Sequence, residues 1–218
     1  LQFFKKIINI KKGEAKMVLT FFFFSFFTVA MGMVAKTARD AYFLSRFEKS
    51  ILPLMFLAVA IVIAPTLTYY TRLTNKFSPR KLFIITCSIF AGSFILIQPL
   101  ISGFFIPIAY IWVEIVVGIM LIQFWTFASS SLEPQQAKRL FGIIGGGGSF
   151  SVMLIGMNLK PFVNAFGTDE LLFVAAGFLI IAFVFGILSI QYFNKIPAKK
   201  GAAKKASKKK KRKKDPFI

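Results

Sequence analysis

Six apolar stretches, at about 17–46, 51–71, 81–102, 106–130, 140–163 and 170–193, leave this 218-residue chain few ways to fold. Each is long enough to cross the roughly 30 Å hydrocarbon core of a bilayer as a helix. In lipid, a spanning segment must satisfy its backbone polar groups internally, which selects helices here. The expected fold class is therefore all-α, a polytopic membrane protein with six transmembrane helices.

The charges flanking these stretches set an expected orientation, because cytoplasmic loops carry an excess of Lys and Arg. Lys5, Lys6, Lys11, Lys12 and Lys16 precede the first stretch. Arg72, Lys76, Arg80 and Lys81 join the second to the third, and Lys138 and Arg139 join the fourth to the fifth. Twelve more run from Lys195 to Lys214. The opposite side and its helix ends carry only Lys36, Arg39, Arg46, Lys49 and Lys160. Both termini are thus expected in the cytoplasm, with a bacterial inner membrane as the expected location.

Composition supports the membrane reading: 56% hydrophobic residues, 29 Phe and a mean hydropathy of +0.71 do not fit a soluble domain. The net charge of +20 is largely a tail effect, since 199–214 hold eleven cations. A lone Cys87 rules out an internal disulfide, and with no His a metal site would rest on scarce carboxylates. No metal, cofactor or enzymatic activity is expected. The run Met17–Val34 lacks a small-residue cleavage pattern and continues into a long charged helix end, so it is not read as a signal peptide.

Three regions follow. Residues 1–16 place Phe4, Ile7 and Ile8 on one helical face and most lysines elsewhere, which suits a basic amphipathic segment at the cytoplasmic interface or a frayed tail. Residues 17–194 form the six-helix domain, with Pro53, Pro65, Pro99, Pro107 and Pro161 punctuating or kinking helices. Residues 195–218 form a polybasic, self-repelling segment expected to be disordered. Following a membrane span, it suits anionic lipid headgroups, and with no interleaved aromatics to stack bases no nucleic-acid partner is expected.

Charges inside apolar spans are costly and so are functional candidates. The first span ends KTARDAYFLSRF, where Lys36 and Asp40 share one helix face and Arg39 and Arg46 another. Lys36 lies about eleven residues, roughly 16 Å, inside Phe47, and Glu114 about ten residues, roughly 15 Å, inside Phe104. Opposite charges at matching depth are placed to share one cavity. The alternative is that Lys36 braces Asp40, leaving Glu114 protonated or bonded to Tyr110 or Gln123.

The fifth span opens KRLFGIIGGGGSFSVMLIG. Gly142 and Gly146 have GxxxG spacing, and Gly145, Gly146, Gly147 and Gly148 strip the helix of side chains, as close helix packing in membranes requires. No Lys-Ser/Thr follows the glycines, so a phosphate-cradling loop is not expected.

Between the second and third spans, TRLTNKFSPRKLF resembles the cytoplasmic loop of the major facilitator superfamily. Leu73, Lys76, Arg80 and Lys81 fit it, while Thr71, Asn75 and Ser78 stand where that family has Gly, Asp and Gly. KTARD, Glu114 ahead of FWTFAS, and AKRLFGIIGGGGSFSVMLIG together resemble the ATP/ADP translocase family of plastids and intracellular bacteria and its bacterial relatives. The run ARDAYFLSRF is closer to those bacterial relatives than to the proven nucleotide exchangers.

The resemblance covers residues 17–218 and implies the N-terminal six-helix half of a twelve-helix transporter. In that family, antiport of ATP or another anionic nucleotide-like metabolite involves a first-helix Lys and a fourth-helix Glu, which correspond to Lys36 and Glu114. Lys36, Arg39, Asp40 and Glu114 are therefore the expected substrate-binding residues. The expected partners are anionic lipids, a small anionic substrate, and a second six-helix half or other membrane subunits. The other reading is a non-transporting membrane scaffold or accessory subunit, because six helices alone do not form a two-sided cleft.

Overall fold

The computed structural model describes residues 11, 13–97, 105–168 and 170–193. The 1–16 segment falls mostly, and the 195–218 segment wholly, outside the described residues, as does Pro99. Six long helices account for nearly all the rest, with no strand among the described residues. They are α1 (Ala15–Leu44), α2 (Leu52–Lys76), α3 (Pro79–Ile97), α4 (Phe105–Ser131), α5 (Pro134–Phe166) and α6 (Leu171–Phe193). A one-turn 3₁₀ helix, Lys49–Ile51, leads into α2. All six long helices are long and apolar enough to cross a membrane, the signature of a multi-pass membrane protein.

Consecutive helices alternate in direction. At one end, Glu14 before α1 meets Arg139 at the start of α5. At the other, Phe43 near the end of α1 clusters with Met55 of α2 and Ile106 and Tyr110 of α4. We call these the basic end and the far end.

The helix boundaries have local causes. Ser78 precedes Pro79, a position that disfavours helical backbone, and α2 stops at Lys76 with Phe77 extended (φ −110°, ψ 154°). Only Phe77 and Ser78 separate α2 from α3, so most of the segment read as a loop, TRLTNKFSPRKLF, is helix. At the start of α5, Glu133 and Gln136 form a reciprocal capping box with Pro134 in the first turn. This draws Lys138 and Arg139 into the helix, six residues before the expected start at 140. Gly167, at φ 86°, ends α5 in a conformation that strains residues with a side chain.

α1 is the central helix, packing against α4, α5 and α6, while α2 lies on α4 and α3 mainly on α6. A helix apolar on every face belongs in the interior: 61% of the most apolar stretch of α1 is buried, against 11% for α2. The FFFFSFF run explains how α1 fills three directions at once. Phe23 and Phe27 stack on Phe185 of α6 at 5.4 and 5.8 Å. Phe24 meets Phe124 of α4 edge-on at 5.4 Å. Toward α5 the helix offers Phe26, whose ring lies 6.0 Å from that of Phe150, and a stretch of bare backbone.

Candidate functional site

The ionisable groups deep in the bundle meet where α1 passes α4. Lys36 Nζ lies 2.8 Å from Glu114 Oε2 and donates a hydrogen bond to Oε1 at 2.9 Å. Arg39, one turn further along α1, places Nη1 3.3 Å from Glu114 Oε2 and donates from Nε to Asp40 Oδ1 at 3.1 Å. Its guanidinium lies 4.0 Å above the Tyr110 ring, in cation–π contact. Two cations and two carboxylates thus form one formally neutral cluster, with Tyr110 as its aromatic floor.

The four expected substrate-binding residues are brought together, but they do not present themselves alike. The side chains of Lys36 and Asp40 are 39% and 47% exposed, whereas Arg39 is 7% exposed. Lys36 and Asp40 form the accessible front, and Arg39 grips both carboxylates from behind. The alternative in which Lys36 braces Asp40 is not what the structure contains: Asp40 pairs with its neighbour Arg39, and Lys36 reaches across to α4. Arg39 Nη1 is buried and makes no hydrogen bond, its 3.3 Å approach to Glu114 being an ion contact only. Beside Arg39, between α1, α3, α4 and α6, is an apolar cavity of about 10 Å³, the size of one water.

The α1–α5 seam is built differently. A Cβ at Gly147 would overlap the Phe22 carbonyl oxygen, and one at Gly148 would lie 3.0 Å from Val29 Cγ2. These two glycines let the backbones touch. Gly145 has ordinary room, 3.7 Å from Trp125, while Gly142 and Gly146 face open space. The GxxxG pair expected to pack the bundle therefore points away from α1. With it on that outer face run Ser149, Met153, Met157, Lys160 and Asn164, all exposed.

Sequence reasoning missed two polar clusters. At the basic end, Arg139 Nη2 donates to both Glu14 oxygens at 2.9 Å, and Gln136 Nε2 donates to Glu14 Oε1 at 2.9 Å. Gln136 is also the capping-box partner of Glu133, so one side chain ties the start of α5 to the start of α1. Burial alone would raise the Glu14 pKa, but hydrogen bonds from the Lys11 backbone, Gln136 and Arg139, with the Arg139 charge, hold it below its ordinary 4.5. The capping box is readable as Glu-Pro-Gln-Gln; the link to Glu14 spans 122 residues and has no local signal. Within the bundle, Gln123 of α4 donates to the Tyr70 hydroxyl of α2, leaving Gln123 Oε1 buried without a partner. The sequence suggests Gln123 only as a partner for Glu114.

Searches for known proteins like this chain found no matching protein-family model, no matching curated protein and no matching solved structure.

Proposed function

We propose that this chain is one half of a secondary transporter that exchanges a small anionic, nucleotide-like metabolite such as ATP by alternating access. The observation that carries the proposal is the Lys36–Glu114–Arg39 cluster deep within apolar helices. An ion cluster at this depth is expensive to maintain, and a structural brace could be made more cheaply from apolar side chains. Lys36, as the accessible cation, meets the anion; Arg39 positions the two carboxylates; Glu114 holds Lys36 when the site is empty.

The arrangement proposed is that of the N-terminal half of a major facilitator, completed by a second six-helix half or by other membrane subunits. The outward face of α5 supports this, because Gly142, Gly146, Ser149, Lys160 and Asn164 set small and polar residues around the exposed Met153 and Met157, a mixture that suits a partner helix better than lipid. The basic end would face the cytoplasm of a bacterial inner membrane, where the polybasic segment 195–218 meets anionic headgroups. Uptake of labelled ATP into proteoliposomes holding the full-length protein tests the proposal. Lys36→Ala should abolish uptake while the protein stays helical and monodisperse. Wild-type uptake in that variant removes Lys36 from the site, and absence of uptake in the wild type favours the scaffold reading.

A further inference from the structure

Resting on that reading of the site, we propose that Trp125 stacks the planar base of the nucleotide whose phosphates dock on Lys36. The substrate is then an anion held at two points, and a bare phosphate or carboxylate engages only one of them.

α4 carries two tryptophans, and their settings differ. Trp112 turns toward α3, meets Phe90 edge-on and donates its indole N–H to Ser93 Oγ at 2.9 Å. Its donor is satisfied, and its role is packing. Trp125 is 44% exposed, and among the described residues nothing accepts from its indole nitrogen. Phe124 and Phe141 meet it at 5.0 and 5.8 Å, but neither ring lies parallel to it. A braced, open aromatic with an unused donor suits a surface that receives a ligand.

Its position says which part of the ligand arrives there. Trp125 lies eleven residues after Glu114, close to three full turns, so both stand on one face of α4. Between them Gly118 and Leu121 are only half-buried, with Leu67 of α2 bordering the stripe at Gly118. On α1, Lys36 and Val29 are seven apart, share a face and are half-buried as well. Beyond Val29 the gap narrows: Gly148 of α5 closes on α1, and Gly145 comes up beside the indole. The ion cluster and Trp125 thus mark two ends of one partly open strip along α1 and α4.

The rise along α4 from Glu114 to Trp125 is roughly 16 Å. Cα–Cβ bonds tilt toward the N-terminus of their own helix, and α1 and α4 run in opposite directions. Lys36 and Trp125 therefore lean toward each other, and the gap between ammonium and indole is shorter than that rise. An extended nucleoside triphosphate holds its outer phosphate and its base apart by a distance of this order. Stacking is tolerant of base identity, so the indole selects a base over no base and not adenine over guanine.

The test compares ATP with inorganic triphosphate as ligands of the purified intact protein, by calorimetry. Both should bind wild type, and both should be lost in Lys36→Ala. Trp125→Leu should weaken ATP about tenfold and leave triphosphate unchanged, and Trp125→Phe should recover most of that loss. ATP, but not triphosphate, should quench the tryptophan fluorescence of wild type, and the quench should vanish in Trp125→Phe. If folded, monodisperse Trp125→Leu binds ATP like wild type, or loses both ligands equally, the base site is overturned and the anion site stands. If Trp125→Leu does not fold, fluorescence decides. A quench confined to ATP and to Trp125 supports the proposal; no quench, one matched by triphosphate, or one that survives in Trp125→Phe overturns it. Failure of wild type to bind either ligand, or undiminished binding in Lys36→Ala, would remove the anion reading and the base site with it.

Discussion

α1 is held on two sides by contacts of opposite character. Against α5 it is fastened by backbone: Gly147 seats on the Phe22 carbonyl, and Glu14 is hydrogen-bonded by Arg139 and Gln136 at the basic end. Against α4, beyond the Phe24–Phe124 contact, it is held by an ion cluster whose lysine is partly exposed and whose arginine has an unbonded N–H. Both seams use a carboxylate and an arginine, yet the Glu14 carboxylate is met by donors on both oxygens, whereas Arg39 at the α4 seam keeps an unbonded nitrogen. A close-packed backbone contact has one favourable arrangement, whereas a part-satisfied ion cluster has donors left for something else. The proposed anion site accordingly lies on the α4 side, and the closest backbone contact on the α5 side.

The largest expected effect comes from breaking the rigid seam. Gly147→Leu drives a side chain into the Phe22 backbone and should cost about 3 kcal/mol, seen as a lowered unfolding midpoint in detergent. If Gly147→Leu melts like wild type, the α1–α5 contact is not close-packed. Glu114→Ala strikes the other seam. Discounted for the 39% exposure of Lys36, its loss should cost about 2 kcal/mol, and Lys36→Ala in the same background should recover part of it. Additivity of the two would mean that the pair is not coupled.

Glu14→Gln removes the charge from the end clamp and should cost about 1 kcal/mol near neutral pH. The folded Glu14 pKa lies below its ordinary 4.5, so its stabilisation is full above that value and is lost as pH falls through the folded pKa. The gap between wild type and Glu14→Gln should accordingly close in acid. A gap that widened there would reverse the assignment. Smallest of all, Gly146→Ala faces open space and should change stability of the bundle by no more than about 0.5 kcal/mol. A larger effect confined to the assembled protein would mark that face as an interface.

Much of this architecture is legible in the sequence alone. Six helices follow from apolar length, and each observed helix lies within a few residues of its expected span wherever caps do not intervene. The juxtaposition of Lys36 and Glu114 is readable as matched depth, because rise per residue is fixed in a helix. Rotation about the helix axis is less accessible. Which of Gly142, Gly146 and Gly147 would face α1, and whether Arg39 would sit in front of or behind Lys36, depend on how neighbours pack and not on spacing alone. The Glu14–Arg139 clamp joins chain ends of two helices separated by three others, and nothing local in either segment announces it.

The central claim is that the ammonium at position 36 is the group that meets the anion. It can be removed and restored in one preparation. In a Cys87→Ala background, Lys36→Cys should transport no ATP in proteoliposomes, and treatment with an aminoethyl methanethiosulfonate, which rebuilds a primary ammonium on the thiol, should restore uptake. The neutral methyl reagent should not. Uptake by the untreated cysteine variant at the level of the Cys87→Ala parent, or equal rescue by the neutral reagent, would contradict the account.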